Sequence, residues 1–358
     1  MAEFIRNAWY AAAWPQELGD KPLARTLLNE PVVLYRDTAG KAVALEDRCC
    51  HRHLPLSMGR VVGDNLECGY HGLTFDATGA CVKVPGQTRV PPGAEIRSWP
   101  LLEKYGYVWI WMGDPEKADE SLLPDWHVMD DPNWRVVRGD PPFHIPCHYE
   151  LFNDNLLDLS HLAYVHVKNI GTRAVPDFPI VTTRGEKTVR MIRWILDSPP
   201  APLYKRFGGF EDNIDRWQYA EAMVPSYNTV RVGCLPAGCG AKAGDHPDDF
   251  SPQAGGRNAG GFEFFNLNAI TPETENSTWY FYAHSRNFAL DDPKMDEEFR
   301  VELRAAFQED VDILAAQQMN MDRHAHNPKD WVDVNVDGPG IALRRMVRDA
   351  IAAEASGA

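Results

Sequence analysis

The chain has 358 residues, 44% hydrophobic and 24% charged, with a formal net charge of −15. That is the composition of a globular protein of about two domains, large enough to bury a core without staples. The acidic balance excludes nucleic acid as a partner, since phosphate binding needs a basic surface, and the lack of any apolar run near about 18 residues excludes a membrane-spanning helix.

No signal-like stretch opens the chain, so the expected compartment is the cytoplasm. The seven cysteines are Cys49, Cys50, Cys68, Cys81, Cys147, Cys234 and Cys239. An odd number in a long chain does not suggest a disulfide framework. In chain order, 32–35 and 42–45 flank Asp37-Thr38-Ala39-Gly40, a hairpin pattern. A second hairpin is predicted over 75–84, around Asp76-Ala77-Thr78-Gly79. Residues 105–111 read as a strand rich in aromatic and β-branched residues, stopped by Gly113-Asp114-Pro115. Asp and Pro crowd 113–142, which places a domain boundary there. A helix is predicted over 151–166, strands between 180 and 285, a Gly/Pro/Asp-rich loop at 235–261, and closing helices at 294–321 and 340–355. Runs of strands beside separate runs of helices predict an α+β fold.

Two clusters carry chemistry. Cys49-Cys50-His51 is followed by Cys68-Gly69-Tyr70-His71, that is, Cys-x-His and then Cys-x2-His. Two such turns face to face put both thiolates on one iron and both imidazoles on another, the ligand set of a Rieske [2Fe–2S] cluster. Structural zinc is the alternative, but zinc fingers group two cysteines before two histidines, whereas here they alternate. Cys50 and His53 read as structural neighbours.

The second cluster is Asp158-x2-His161-x4-His166. Asp158 and His161 share a helical face. His161 and His166 are about 140° apart on a regular helix, so the helix must end or distort near His166 for both to reach one ion. Two histidines and a carboxylate form the non-haem iron(II) arrangement; a helix with two satisfied histidines is the alternative. A carboxylate is offered by the stripe Leu303, Phe307, Asp310, Leu314 and Gln317. Asp310 inside it would be costly unless ligated, while Asp312 lies nearly opposite, towards solvent. The pairs His144/His148 and His324/His326 lack a convincing carboxylate and read as structural or surface residues.

Cys-x-His-Arg at 49–52, Cys-x-Tyr-His-Gly at 68–72 and Val84-Pro85-Gly86 resemble the Rieske domain of ring-hydroxylating and demethylating oxygenases. Residues 155–166, Phe307-Gln308-Glu309-Asp310 with Gln317-Gln318, Arg6-Asn7-Ala8-Trp9-Tyr10, Thr271-Pro272-Glu273-Thr274 and Ser285-Arg286-Asn287-Phe288 are similar to the branch containing vanillate O-demethylase, dicamba monooxygenase and toluenesulfonate methyl-monooxygenase. Cys50 stands where most of the family has proline, although the toluenesulfonate branch resembles this Cys-Cys-His-Arg.

The resemblance implies an all-β Rieske [2Fe–2S] domain at 1–118. A catalytic domain would follow at 119–358, with an antiparallel sheet flanked by helices (helix-grip type). It implies His161, His166 and Asp310 as mononuclear iron ligands, and Asp158 as the bridge to a Rieske histidine of a neighbouring subunit in a head-to-tail homotrimer.

No Gly-x-Gly-x-x-Gly follows a strand, so NAD(P)H and flavin are expected only in a separate flavin/iron–sulfur reductase. The expected activity is that of a terminal oxygenase using O2 to O-demethylate or methyl-hydroxylate a small aromatic acid. The alternatives are a ring dioxygenase forming a cis-diol and, in another class, a Rieske electron carrier that needs only residues 1–115. On the predicted strand 262–270, one face carries Asn266 and Asn268 among apolar residues, which suggests a cavity wall. Asn228 is a further candidate. Ordinary hydrogen-bonded amides are the plainer explanation of all three.

Overall fold

A computed structural model describes residues 4–251, 260–325 and 332–357. His326 and part of the predicted 235–261 loop lie outside them. The described residues form two compact units. The first ends at Leu123 and includes Thr271–Glu275; the second takes Pro124–Ile270 and the chain from Asn276 onward.

The first unit is built from short antiparallel strands. They are β1 (Trp9–Ala13), β2 (Leu23–Leu27), β3 (Glu30–Arg36), β4 (Ala42–Glu46), β5 (Arg60–Val62), β6 (Asn65–Glu67), β7 (Thr74–Phe75), β8 (Cys81–Lys83), β9 (Ser98–Trp99), β10 (Leu101–Lys104) and β11 (Tyr107–Trp111). They make sheets in the orders β1-β11-β10, β2-β3-β4-β9 and β5-β6-β7-β8. Both predicted hairpins form, as β3–β4 and β7–β8. The strand predicted from 105 begins at Tyr107, because Tyr105 (φ 56°) and Gly106 (φ 73°) turn the chain between β10 and β11. Val33, Tyr35, Leu45, Leu66 and Phe75 pack into one core that also holds Cys49 and Cys68.

The second unit centres on an 8-stranded sheet in the order β12-β19-β18-β17-β16-β15-β14, with β13 also paired to β19. Its strands are β12 (Arg135–Arg138), β13 (Phe143–Ile145), β14 (Val181–Arg184), β15 (Thr188–Ser198), β16 (Ile214–Met223), β17 (Tyr227–Pro236), β18 (Phe262–Thr274) and β19 (Ser277–Arg286). The helices are α1 (Tyr149–Leu157), α2 (Pro202–Gly208), α3 (Pro293–His324) and α4 (Gly338–Ser356).

Register sets one face of this sheet. Gln218 opposes Val232, Val232 opposes Phe264, and Val230 opposes Asn266, so these side chains share a face. In the 235–261 loop the described start is anchored: the Asp215 carboxylate accepts from the Gly238 and Cys239 amides at 2.7 and 2.8 Å. Helix α3 begins where Asp292 caps the Lys294 amide at 2.9 Å and Pro293 opens the first turn, the expected signals for a helix start.

Two expectations are corrected. The helix predicted over 151–166 ends at Leu157. Asp158 (φ −104°, ψ 86°) leaves the helical region, and its side chain accepts from the Ser160 amide at 2.9 Å. That local hydrogen bond competes with the helix ladder and starts a 3-10 turn over Leu159–Ala163. Asp158 is therefore a cap rather than a residue within the helix. The stripe on α3 closes on Gln318, not Gln317. Gln318 is buried and accepts from the His148 amide at 2.9 Å, while Gln317 is exposed. A four-residue step from Leu314 follows the 3.6-residue turn better at that point than a three-residue one.

Candidate active site

In the first unit Cys49 and His51 occupy one loop, Cys68 and His71 a second, and the two loops fold alike. The Cys49 amide donates to the Leu54 carbonyl and the Cys68 amide to the Leu73 carbonyl, at 2.9 and 2.8 Å. The His53 and Gly72 amides close back on the Cys49 and Cys68 carbonyls, at 2.9 and 3.1 Å. Both closing residues take positive φ, 58° and 71°. His53 is thus a turn residue, and a position that favours glycine explains Gly72.

Cys49 and Cys68 are 1% and 2% exposed, whereas His51 and His71 are exposed, with ring centroids 4.6 Å apart. Burial, with the neighbouring Cys68, pushes the Cys49 thiol up to about 11. Two buried thiolates side by side require a cationic partner. The donor set therefore fits a [2Fe–2S] cluster with its thiolate iron in the core and its imidazole iron at the surface.

In the second unit α1, the 3-10 turn and α3 bring His161, His166 and Asp310 together. One ligand atom from each lies within 4.8 Å of the others. The His166 Nε2 is 3.1 Å and the His161 Nε2 3.5 Å from Asp310 Oδ1. The opposite ring nitrogens are tied back: His161 Nδ1–H donates to the Asp158 carbonyl at 2.5 Å, and His166 Nδ1–H to Glu309 Oε2 at 2.7 Å. Asn155 Nδ2 donates to Asp310 Oδ1 at 3.1 Å.

Burial would lower the His166 pKa, but the Asp310 and Glu309 hydrogen bonds outweigh it and hold it above its ordinary value. His161 is lowered, chiefly by burial. Two Nε2 atoms aimed at one buried carboxylate, each with its Nδ1 hydrogen engaged elsewhere, suit a divalent cation and fix the tautomers needed to bind it. Close packing supports the turn: a Cβ on Gly171 would lie 1.7 Å from the Leu162 carbonyl oxygen. Arg193, buried in β15, donates to Ser160 Oγ at 2.7 Å and Gln218 Oε1 at 3.0 Å, tying the turn to the sheet.

The three residues line a cavity whose walls include Leu159, Leu162, Val230, Val232, Phe264 and Phe307. A largely apolar wall with a few polar groups is the usual lining of a small-ligand site. Asn266 is on this wall. Asn268 is not: it donates to the Asn228 and Asn266 carbonyls at 3.0 and 3.1 Å and accepts from Tyr280 Oη at 2.7 Å. Asn228 is fully buried beside it, and neither side-chain amide atom has a partner among the described residues.

The rival histidines lie elsewhere. His144 stacks on Trp279 with centroids 4.6 Å apart, His148 caps α1, and His324 is exposed. Glu309 and Asn155 were not assigned these supporting roles from the sequence. Glu309 adjoins Asp310 on an amphipathic helix, where an acidic residue is ordinary, so no signal marked it.

Residues 8–100 match the Rieske [2Fe–2S] domain, and residues 145–353 match the vanillate O-demethylase oxygenase C-terminal domain. The chain belongs to the Rieske oxygenase family. The oxygenase is 41% identical, over 88% of each chain, to the toluene-4-sulfonate monooxygenase system iron–sulfur subunit of Comamonas testosteroni. It is 37% identical, over 98% of its own length and 96% of the relative's, to the vanillate O-demethylase oxygenase subunit of a Pseudomonas species. The crystal structure of dicamba monooxygenase with non-haem iron and dicamba matches over 100% of both chains, at 31% identity and a TM-score of 0.82. The oxygenase is therefore an oxidoreductase of the monooxygenase type, one component of a system that includes a reductase. A bare electron carrier has no use for the second unit, and that alternative falls.

Asp310→Ala should lose the mononuclear iron and keep the visible spectrum of the cluster. Glu309→Gln should weaken iron retention about tenfold. Asp312→Ala should retain iron, because Asp312 bonds Gln308 on the exposed face of α3 at 2.9 Å. Iron content after anaerobic dialysis against a chelator measures all three. Iron lost from Asp312→Ala but kept by Asp310→Ala would overturn the choice of carboxylate.

Proposed function

We propose that the oxygenase uses O2 and reductase-delivered electrons to O-demethylate or methyl-hydroxylate a small aromatic acid. The observation that carries this is the two-histidine, one-carboxylate cluster in the lining of a largely apolar cavity, in a chain with a Rieske domain. The relatives named for vanillate, toluene-4-sulfonate and dicamba support the substrate class.

Residues 1–118 serve as the electron-accepting domain, with Cys49, His51, Cys68 and His71 holding the cluster. Residues 119–358 serve as the catalytic domain, with His161, His166 and Asp310 holding iron(II). Bound there, an iron(II) ion would supply O2 activation. The chain's own groups do the rest. The Asp158 carbonyl and Glu309 hold both imidazoles with Nε2 forward, Asn155 steadies the carboxylate, and the apolar walls exclude water. Asn266 offers the substrate a polar contact, whereas the Asn268 amide is spent on its neighbours in the sheet. A hydroxylated methoxy carbon is a hemiacetal, which collapses to a phenol and formaldehyde; an aryl methyl gives a stable alcohol.

The electrons come from NAD(P)H through a separate flavin/iron–sulfur reductase, which makes the cytoplasm the compartment. The assembly is a head-to-tail homotrimer in which Asp158 meets His71 of a neighbouring subunit. Two observations support this: His71 is exposed, and Asp158 lines a polar recess with Asp154 and Arg344. Its backbone carbonyl already holds His161, so one residue touches both halves of the electron path.

Purified oxygenase, reductase and NADH incubated with vanillate, toluene-4-sulfonate and dicamba should consume O2 and release formaldehyde or a benzylic alcohol. A cis-diol as product would replace this reading by the dioxygenase one. Asp158→Asn should keep both metals, yet slow the single-turnover oxidation of the pre-reduced cluster at least tenfold, because it removes the charge that a second imidazole would use. A loaded variant oxidised at the wild-type rate would leave Asp158 as a helix cap only.

A further inference from the structure

Behind the cavity wall, β19 carries a histidine that the mechanism above does not use. His284 is 1% exposed and packs its ring against Tyr282 and Phe307, with centroids 5.2 and 5.6 Å away. Its Nδ1 lies 2.5 Å from Asn266 Oδ1, and its Nε2 has no partner among the described residues. Burial pushes this imidazole down to about 3, so the ring is neutral at working pH and carries one hydrogen. That hydrogen belongs on Nδ1, opposite an acceptor oxygen. On Nε2 it would be an orphaned N–H among aromatic rings, a rarer state than an orphaned acceptor.

The consequence falls on Asn266. With Oδ1 held by His284, the Nδ2 end of the amide is turned away from the ring, and the side chain belongs to the cavity wall. Among the described residues no Lys or Arg lines the cavity, so the amide of Asn266 is one of the few donors there that could meet an acidic substrate.

We propose that His284 is a positioning residue that fixes Asn266 as a hydrogen-bond donor to an oxygen of the substrate's carboxylate or sulfonate group. This rests on the aromatic-acid reading above and adds how the acid is recognised. The donor sense is what matters: an amide free to flip would present its oxygen half the time and repel an oxyanion. Held by His284, it makes a charge-assisted bond at no ordering cost when the substrate arrives.

The test is anaerobic calorimetric binding to the iron-loaded oxygenase. The probes are vanillate and toluene-4-sulfonate, each beside its neutral counterpart, guaiacol and toluene. Asn266→Leu and His284→Phe should each weaken binding of the acid that the wild type takes by about tenfold or more, and leave the neutral counterpart within about twofold. In the double variant the His284 substitution should add nothing, since it acts only through Asn266. His284→Asn, which keeps an N–H near the place of Nδ1, should recover part of the loss. Should His284→Phe fail to fold, Asn266→Asp decides, because a carboxylate there must lose the acid more severely than leucine does. Full additivity in the double variant, or equal losses for acid and neutral probes, would make His284 a packing residue and overturn the inference alone. A wild-type oxygenase that bound neither acid would overturn the aromatic-acid reading together with it.

Discussion

Two imidazole Nε2 atoms and one buried carboxylate meet in the lining of a largely apolar cavity, and much of the second unit serves to bring them there. His161 and His166 are too close in sequence to share one face of an α-helix and too far apart to be neighbours on it. The chain solves this by stopping α1 at Leu157 and continuing as a 3-10 turn. The break has a second use, because it frees the Asp158 carbonyl to accept from His161 Nδ1. Helix α3 supplies the third group from inside its buried stripe, where an unpaired Asp310 would be costly. Its neighbour Glu309 holds His166 from the other side. The three side chains are therefore held in place by their own hydrogen bonds, and little ordering would remain to oppose the binding of an ion.

The first unit solves a different problem. Its twin loops bury the thiols in the β-sheet core and leave the imidazoles at the surface. A cluster so placed is insulated on its cysteine side and approachable on its histidine side. That is the polarity an electron relay needs, because the imidazole iron is the one with elevated potential in such centres. The same arrangement leaves the His71 ring exposed, while Asp158 stands in a polar recess.

Much of this was legible in the sequence because ligand chemistry is local there. The Cys-x-His and Cys-x2-His spacings picked out the two loops that fold alike, and the stripe through Leu303, Phe307 and Asp310 picked the carboxylate that lies beside His161 and His166, which Asp312 does not. The rest depended on geometry that spacing does not carry. The break at Asp158 comes from one side-chain hydrogen bond to Ser160, which competes with the helix without leaving a compositional trace. Glu309 was invisible because an acidic residue on a helix is ordinary until a histidine from another element reaches it. Alternation along β18 put Asn266 and Asn268 on one face, but only the hydrogen bonds from Asn268 to its neighbours separate a sheet amide from a cavity amide. His284 drew no attention from the sequence, since a lone histidine in a strand carries no signal of its own.

The central claim is that one chain holds two distinct iron centres, a sulfide-bridged pair and a single ion between His161, His166 and Asp310. Iron and acid-labile sulfide measured on the same anaerobically prepared sample test it most directly. The account predicts about three iron atoms and about two sulfides per chain. About two of each, unchanged after iron(II) is supplied, would contradict the mononuclear site, and zinc without sulfide would contradict both.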